Sequence, residues 1–166
     1  MFVSKEKYSN EIGAEFFGLV NEILKGMATP TTEQMYSRKS ALFMALVCRM
    51  DVVRDTQTPD DTCPELLSQL RLVIDEIKTH DADSASKPDP LFAQLLVMEF
   101  EIAFQRQEWS HISSMLENTG KLQSSMKILE RFSDIAVHSQ CPEEISYLTL
   151  KVHYLYLENS ACNASR

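Results

Sequence analysis

The sequence predicts an all-α protein, and three observations support that fold class. Only four glycines occur in 166 residues, which suits helices and disfavours a turn-rich all-β fold. Apolar residues recur at helical spacing, and no segment is a credible strand. The apolar pattern also returns after 33 residues, so that Leu95 corresponds to Ile128 and Ile102 to Ile135. That period indicates tandem antiparallel helical hairpins that form an α-solenoid segment of about seven helices.

The first two helices are predicted over residues 10–26 and about 32–54. The first carries apolar residues spaced as one helical face, namely Ile12, Phe16, Leu19, Val20, Ile23 and Leu24. Gly26 offers a stop, and Pro30 bars continuation of the helix. The second segment is apolar nearly all round, which predicts a helix buried on more than one side.

The third and fourth helices have clear start signals. Thr62-x-x-Glu65 is a capping box with a proline in the first turn, and it predicts the start of the third helix. Residues 80–89 then have the composition of a flexible surface loop. Asp89 and the proline that follows it predict the start of a fourth helix, which continues to about Arg106.

Three further helices complete the prediction. Glu108–Asn118 forms a short fifth helix closed by Gly120, residues 122–139 form the sixth, and Pro142 starts the seventh. The short connections make the fourth and fifth helices, and the sixth and seventh, antiparallel neighbours. We therefore expect a single α-helical repeat domain over residues 1–166, with a flexible loop at about 80–89 and disordered ends at about 1–8 and 159–166.

Charge and cysteine content restrict the classes of function. The net charge of −8 is spread along the chain without a basic stripe, which disfavours direct contact with a nucleic-acid backbone. Four widely separated cysteines indicate reduced thiols of an intracellular protein rather than a disulfide framework. The longest apolar run is too short to span a bilayer. Cytosol or nucleus is the expected compartment.

One pair of residues has the spacing of a metal site. Glu108 and His111 form a Glu-x-x-His motif, which places two ligands on one helical face in di-iron carboxylate bundles. Such a site needs two copies of the motif and two more inward glutamates, and the sequence offers one copy. A structural role for Glu108 and His111 is therefore favoured over metal binding.

Two weaker clusters also contain possible ligands or acid–base groups. They are His80 with Asp81 and Asp83 in the predicted loop, and Asp134 with His138 at helical spacing. Ordering a loop for one histidine and two carboxylates costs entropy, and the second pair is typical of a surface hydrogen bond. No nucleophile or phosphate-loop motif is present. We expect no catalytic, cofactor-binding or metal-binding residue.

The last predicted helix is the one place where the sequence suggests a partner surface. Tyr147, Tyr154 and Tyr156 occupy more than one of its faces, so that some of these side chains must be exposed. A further repeat or a partner could cover them. The sequence does not identify individual partner-binding residues.

Several short strings resemble one family. They are Glu15-Phe16-Phe17, Arg38-Lys39, Leu95–Glu101, Leu129–Ala136 and Leu148–Lys151. Together they resemble the meiotic tetratricopeptide scaffolds of the crossover-promoting ZMM group, the sporulation-twenty-two, Zip-four and testis-expressed type. The resemblance covers about residues 12–157, although the usual Trp, Leu-Gly and Tyr positions of the repeat are missing, so any repeats are divergent and TPR-like.

The resemblance implies a non-enzymatic protein-interaction scaffold that promotes crossover formation and synapsis. Its implied partners are meiotic crossover and chromosome-axis proteins, its implied location is the nucleus on chromosomes, and it needs no cofactor. Family members are much longer, so the chain is expected to be a fragment or short form. Two alternatives stay open: a generic cytosolic TPR-like adaptor, and a small helical metalloenzyme that uses Glu108 and His111.

Overall fold

Five helices account for most of the described chain. The structure, a computed structural model, describes residues 3–80, 89–121, 132–135, 142–143, 145 and 149–150. The helices are α1 Val3–Lys25, α2 Thr32–Thr56, α3 Thr62–His80, α4 Phe92–Gln105 and α5 Trp109–Lys121. No strand occurs among these described residues, which confirms the all-α prediction.

The chain divides into two compact units, residues 1–92 and 93–166. In the first unit, α2 is central because it packs against both α1 and α3. Its buried side chains include Ala41, Leu42, Ala45, Leu46, Met50 and Val53. Helix α2 is therefore buried on more than one side, as its continuous apolar run predicts. The solenoid arrangement and the single repeat domain stay predictions.

A polar network fixes the relative positions of the three helices in the first unit. The buried Asn21 amide of α1 accepts a hydrogen bond from Arg38 Nε of α2 at 3.1 Å and donates one to Gln69 of α3 at 3.4 Å. Arg38 also lies 3.6 Å from the Glu76 carboxylate on α3. Because a shift of any helix by one turn would leave these polar groups unpaired, the network favours one register.

The start of α2 is a capping box that the sequence analysis missed. Thr31 Oγ1 accepts a hydrogen bond from the Gln34 backbone amide at 3.3 Å, and Gln34 Oε1 accepts one from the Thr31 amide at 2.9 Å. Both are amides that the helix itself leaves without acceptors. At the other end, Gln57 adopts the left-handed conformation, with φ 53°, and closes α2.

The start of α3 differs from the prediction. Asp60, rather than Thr62, provides the cap: its carboxylate accepts the Thr62 amide at 2.8 Å and the Thr62 hydroxyl at 2.7 Å. Thr62 is itself the first residue of α3 rather than the residue before the helix, so the predicted capping box with Glu65 is wrong. The predicted cap at Asp89 is confirmed, because its carboxylate accepts the Leu91 amide at 2.8 Å.

The second unit is built around aromatic side chains of α4 and α5. Phe100 is fully buried and stacks on Phe132 with ring centroids 4.0 Å apart. Phe104 meets Trp109 edge to face at 5.4 Å. Between the helices, Gln107 takes a positive φ of 57°, which turns the chain so that α5 packs back on α4.

Helix boundaries differ from the predictions at two places. Helix α1 begins at Val3 instead of residue 10, so its backbone covers most of the end that was expected to be disordered. Helix α5 runs through Gly120, where the sequence suggested a stop, and includes Lys121. Of the predicted loop at about 80–89, His80 belongs to α3, and residues 81–88 lie outside the described residues. The end at 159–166 and most of the last two predicted helices also lie outside them.

Two glycines of α1 form a matched pair for mutation. Nothing lies within 4 Å of a Cβ added at Gly18, whereas a Cβ added at Gly13 would lie 3.0 Å from Cys48 Sγ. We expect Gly18→Ala to raise the free energy of unfolding by about 0.5–1 kcal/mol. Gly13→Ala should not raise it, because the added methyl group would crowd Cys48. Urea unfolding followed by circular dichroism measures both. Combining Gly13→Ala with Cys48→Ala should restore the gain, and equal effects of the two single substitutions would contradict the packing argument.

Candidate protein-interaction surface

Helix α1 turns one face to its own unit and the opposite face to solvent. Ala14 and Asn21 are 4% and 3% exposed, and they lie on the side that packs against α2 and α3. The opposite side carries four large apolar side chains with high exposure: Ile12 62%, Phe16 59%, Leu19 65% and Ile23 66%. We call these four residues the α1 stripe.

The α1 stripe has the spacing of a helix-docking seam. Its members follow one another at intervals of four, three and four residues, which is the repeat of apolar positions in a coiled coil. At roughly 100° per residue they cover only about 60° of the helix circumference. The Phe16 ring also rests edge-on against Phe17 at 5.3 Å. The stripe is thus continuous, narrow and straight.

This surface corrects the sequence analysis, which assigned the whole apolar face of residues 10–26 to a single side. Helix α1 has two apolar sides, because Phe17, Val20 and Leu24 are half-buried while the α1 stripe is exposed. The sequence did hold a signal for this difference. Ala14 and Asn21 lie seven residues apart on the side opposite the stripe, and both are small enough for close helix packing.

A row of glutamates follows one edge of the α1 stripe. Glu15, Glu22 and Glu11 lie within about 80° of Leu19 on the same side, counted at 3.6 residues per turn. Glu22 has Lys25 within 3.9 Å, and both side chains are more than half exposed, so the pair neutralises little of the row. Among the side chains of α1 that the structure describes, residues 9–25, the other edge carries Val20 and no charged group. The surface is therefore apolar along its centre and acidic along one edge.

The structure separates the Glu-x-x-His residues by giving each another partner. Glu108 Oε1 accepts a hydrogen bond from Arg106 Nε at 2.8 Å, and His111 Nε2 lies 3.2 Å from Glu99 Oε1 across the α4–α5 hairpin. Both side chains are well exposed. Among the described residues, no three His, Cys, Asp or Glu side chains are grouped closely enough to hold a metal ion.

The other predicted clusters are only partly described. Asp81, Asp83 and His138 lie outside the described residues, as do the tyrosines of the last predicted helix. His80 ends α3, and Asp134 lies in a helical segment of the second unit. None of the helices in the described ranges combines the length and apolar character needed to cross a membrane.

The first unit also has an open polar cleft at the sides of α1 and α2. It has a volume of about 400 Å³ and is lined by Ser9, Asn10, Asp51, Arg54 and Asp55. Arg54 donates to Asp51 at 2.7 Å, so the cation is already paired. The cleft lacks the apolar walls of a typical small-molecule site, and the α1 stripe is the stronger candidate.

Cys48 lies in α2 beneath Gly13, and its thiol is protected in two ways. Burial, and secondly the negative charge of Asp51, raise the pKa of the Cys48 thiol above its ordinary value. A raised pKa leaves less thiolate at a given pH, and the thiolate is the reactive form. Cys48 is therefore suited to packing rather than to nucleophilic chemistry.

This protection gives a pH-dependent prediction. In a Cys63→Ala/Cys141→Ser/Cys162→Ser background, we expect Cys48 to react with iodoacetamide several-fold more slowly at about pH 8.5 in the folded chain than in urea. The pH at which the reaction rate reaches half of its maximum should be higher in the folded chain than in urea. Asp51→Asn should lower that midpoint. Equal midpoints in the folded and denatured chains would contradict the assignment.

Comparison of the chain with protein-family models, with curated proteins and with solved structures gives no match. Among the described surfaces, the α1 stripe combines apolar area, regular spacing and a charged border.

Proposed function

We propose that the chain is a non-enzymatic protein-interaction module that binds a partner on the α1 stripe. The observation that carries this proposal is the exposure of four large apolar side chains at heptad spacing on one helix. Contiguous apolar patches of this kind are typical of interaction sites on soluble proteins. A helix-in-groove or coiled-coil contact uses the same spacing of anchors.

The α1 stripe can supply a substantial part of a binding free energy. Each side chain is about three-fifths exposed, and full burial of such a side chain contributes about 1.5–3 kcal/mol. The four together can contribute roughly 4–7 kcal/mol, which is of the same order as the cost of association. A partner therefore needs further contacts outside the four side chains to bind stably.

We further propose that this module belongs to a meiotic crossover scaffold. The support is the sequence resemblance, and one of its strings, Glu15-Phe16-Phe17, overlaps both the α1 stripe and its glutamate edge. Crossover and chromosome-axis proteins would then be the partners, on chromosomes in the nucleus. A generic cytosolic TPR-like adaptor would use the same stripe with partners of another kind.

A capture experiment with a matched control tests both proposals. The tagged chain is incubated with meiotic and somatic extracts beside two variants, Phe16→Gln/Leu19→Gln in the stripe and Leu72→Gln on α3, where the exposed fraction is 61%. We expect crossover or chromosome-axis proteins from the meiotic extract, lost with the stripe variant and retained with Leu72→Gln.

The possible outcomes separate the two proposals. Stripe-dependent capture of the same proteins from both extracts would overturn the meiotic proposal and favour the adaptor. Capture that is insensitive to Phe16→Gln/Leu19→Gln would overturn the stripe as the interaction surface.

A further inference from the structure

Resting on the proposed function, we infer that the partner of the α1 stripe is an amphipathic helix of another protein, with apolar residues at three- and four-residue spacing and a row of Lys or Arg along one edge. The spacing of Ile12, Phe16, Leu19 and Ile23 selects a helix, because knobs of a second helix fit between side chains at these intervals. The stripe extends over about 16 Å along α1, which corresponds to about three turns.

The negative charge along one edge of the stripe favours a partner helix with positive charge on the facing edge. Glu15 and Glu22 border the stripe on one side, in the g positions that face the charged edge of a docked helix, and Glu11 lies farther out on the same side. A basic edge would gain attraction to Glu15 and Glu22, whereas an acidic edge would be repelled. The net charge of −8 adds long-range attraction for a basic partner.

The same edge disfavours a second copy of this chain as the occupant. In an antiparallel pair of α1 helices, equal edges face each other, so that Glu15 and Glu22 of one copy would face the same glutamates of the other. In a parallel pair the glutamates would face the edge that carries Val20, where the described side chains of α1 offer no cation. Neither orientation gives the glutamate row an opposite charge.

The test uses two synthetic helical peptides that differ only in charge. Both have about 21 residues with Leu at heptad spacing, one with Lys and one with Glu at the flanking positions. Fluorescence anisotropy measures their binding to the full chain. We expect the Lys peptide to bind at least about tenfold more tightly than the Glu peptide, with a preference that weakens between about 50 and 300 mM NaCl.

Four variants assign the binding to named residues. Phe16→Gln/Leu19→Gln should lower the affinity for the Lys peptide by about tenfold or more, while Leu72→Gln should leave that affinity unchanged. Glu15→Lys/Glu22→Lys should reverse the preference between the two peptides, and Glu33→Lys/Asp75→Lys, at exposed positions of α2 and α3, adds the same charge elsewhere in the first unit without reversing it. Circular dichroism verifies that each variant keeps its helical content.

The outcomes distinguish this inference from the proposed function. If both peptides bind equally well through the stripe, or the Glu peptide binds better, the basic partner is excluded while the stripe remains an interaction surface. If the binding of neither peptide depends on Phe16 and Leu19, both the inferred basic partner and the proposed role of the stripe as an interaction surface are wrong. Sedimentation of the chain alone adds a third outcome, because dimers that Phe16→Gln/Leu19→Gln dissociates would make a second copy the occupant and overturn the inference.

Discussion

Phe100→Ala is expected to lower the free energy of unfolding of the second unit by about 3–5 kcal/mol. Phe100 has no exposed surface, stacks on Phe132 at 4.0 Å and contacts Phe104 at 5.2 Å. Removing the ring loses its burial and leaves a cavity between aromatic groups that cannot all move in to fill it. This is the largest effect that we expect from a single apolar truncation in α4.

Trp109 makes this effect measurable in the second unit by itself. It is the single tryptophan of the chain and packs edge to face on Phe104, so its fluorescence follows the unfolding of this aromatic cluster. The urea midpoint reported by Trp109 should fall strongly in Phe100→Ala. Phe92→Ala, the same truncation at a side chain that is 53% exposed on the same helix, should change stability by less than about 1 kcal/mol. Similar losses in the two variants would contradict the assignment of Phe100 to the core.

Lys39→Ala is expected to destabilise the first unit by about 3 kcal/mol. Lys39 is buried in α2, and its ammonium group forms a salt bridge with Asp89, whose side chain is also mostly buried. Asp89 has a second role, because its other carboxylate oxygen accepts the Leu91 amide. Removing the ammonium group leaves a buried carboxylate whose negative charge is no longer balanced, and this costs more than the lost contact alone.

A double-mutant cycle separates the ion pair from simple packing. Asp89→Asn keeps a side-chain oxygen for the Leu91 amide but removes the charge. Lys39→Met keeps most of the aliphatic stem of Lys39 without its ammonium group. We expect the double variant to be more stable than the sum of the single losses predicts, by at least about 1.5 kcal/mol in urea unfolding. Losses that add within about 0.5 kcal/mol would show that the two charges act independently.

The sequence was sufficient to locate the five described helices, though not all of their ends, because the signals for a helix are local. Each signal lies within a few residues of the feature that it predicts. Apolar spacing marks a helix, and the proline after Asp89 and the polar loop around Asp60 mark where a helix begins. The cap of α3 was assigned to Thr62 because a threonine three residues before a glutamate fits the capping box. The structure uses Asp60 instead, since its carboxylate accepts both the amide and the hydroxyl of Thr62. Asp60 and Thr62 are both suitable capping residues two positions apart, and residue spacing alone does not decide between them.

The candidate surface was harder to predict because exposure depends on tertiary packing. An apolar stripe at heptad spacing has the same sequence pattern whether it faces the core or solvent. The choice is made by Asn21, which contacts Arg38 of α2 and Gln69 of α3. Those contacts turn the opposite face of α1, with Leu19 and Ile23, outward. On a helix with two apolar sides, a buried asparagine thus indicates which side faces the core.

The central position of α2 has a consequence for the order of events during synthesis. Helix α1 packs on α2 and α2 on α3, so the extensive contacts of this unit join helices that are neighbours in the chain. Such local topology is associated with fast folding, and units that come first in the chain can fold before later ones are made. The α1–α2 hairpin can therefore form on the ribosome before α3 has been made. The apolar face of α1 would then be available to a newly made or waiting partner before the rest of the chain has emerged.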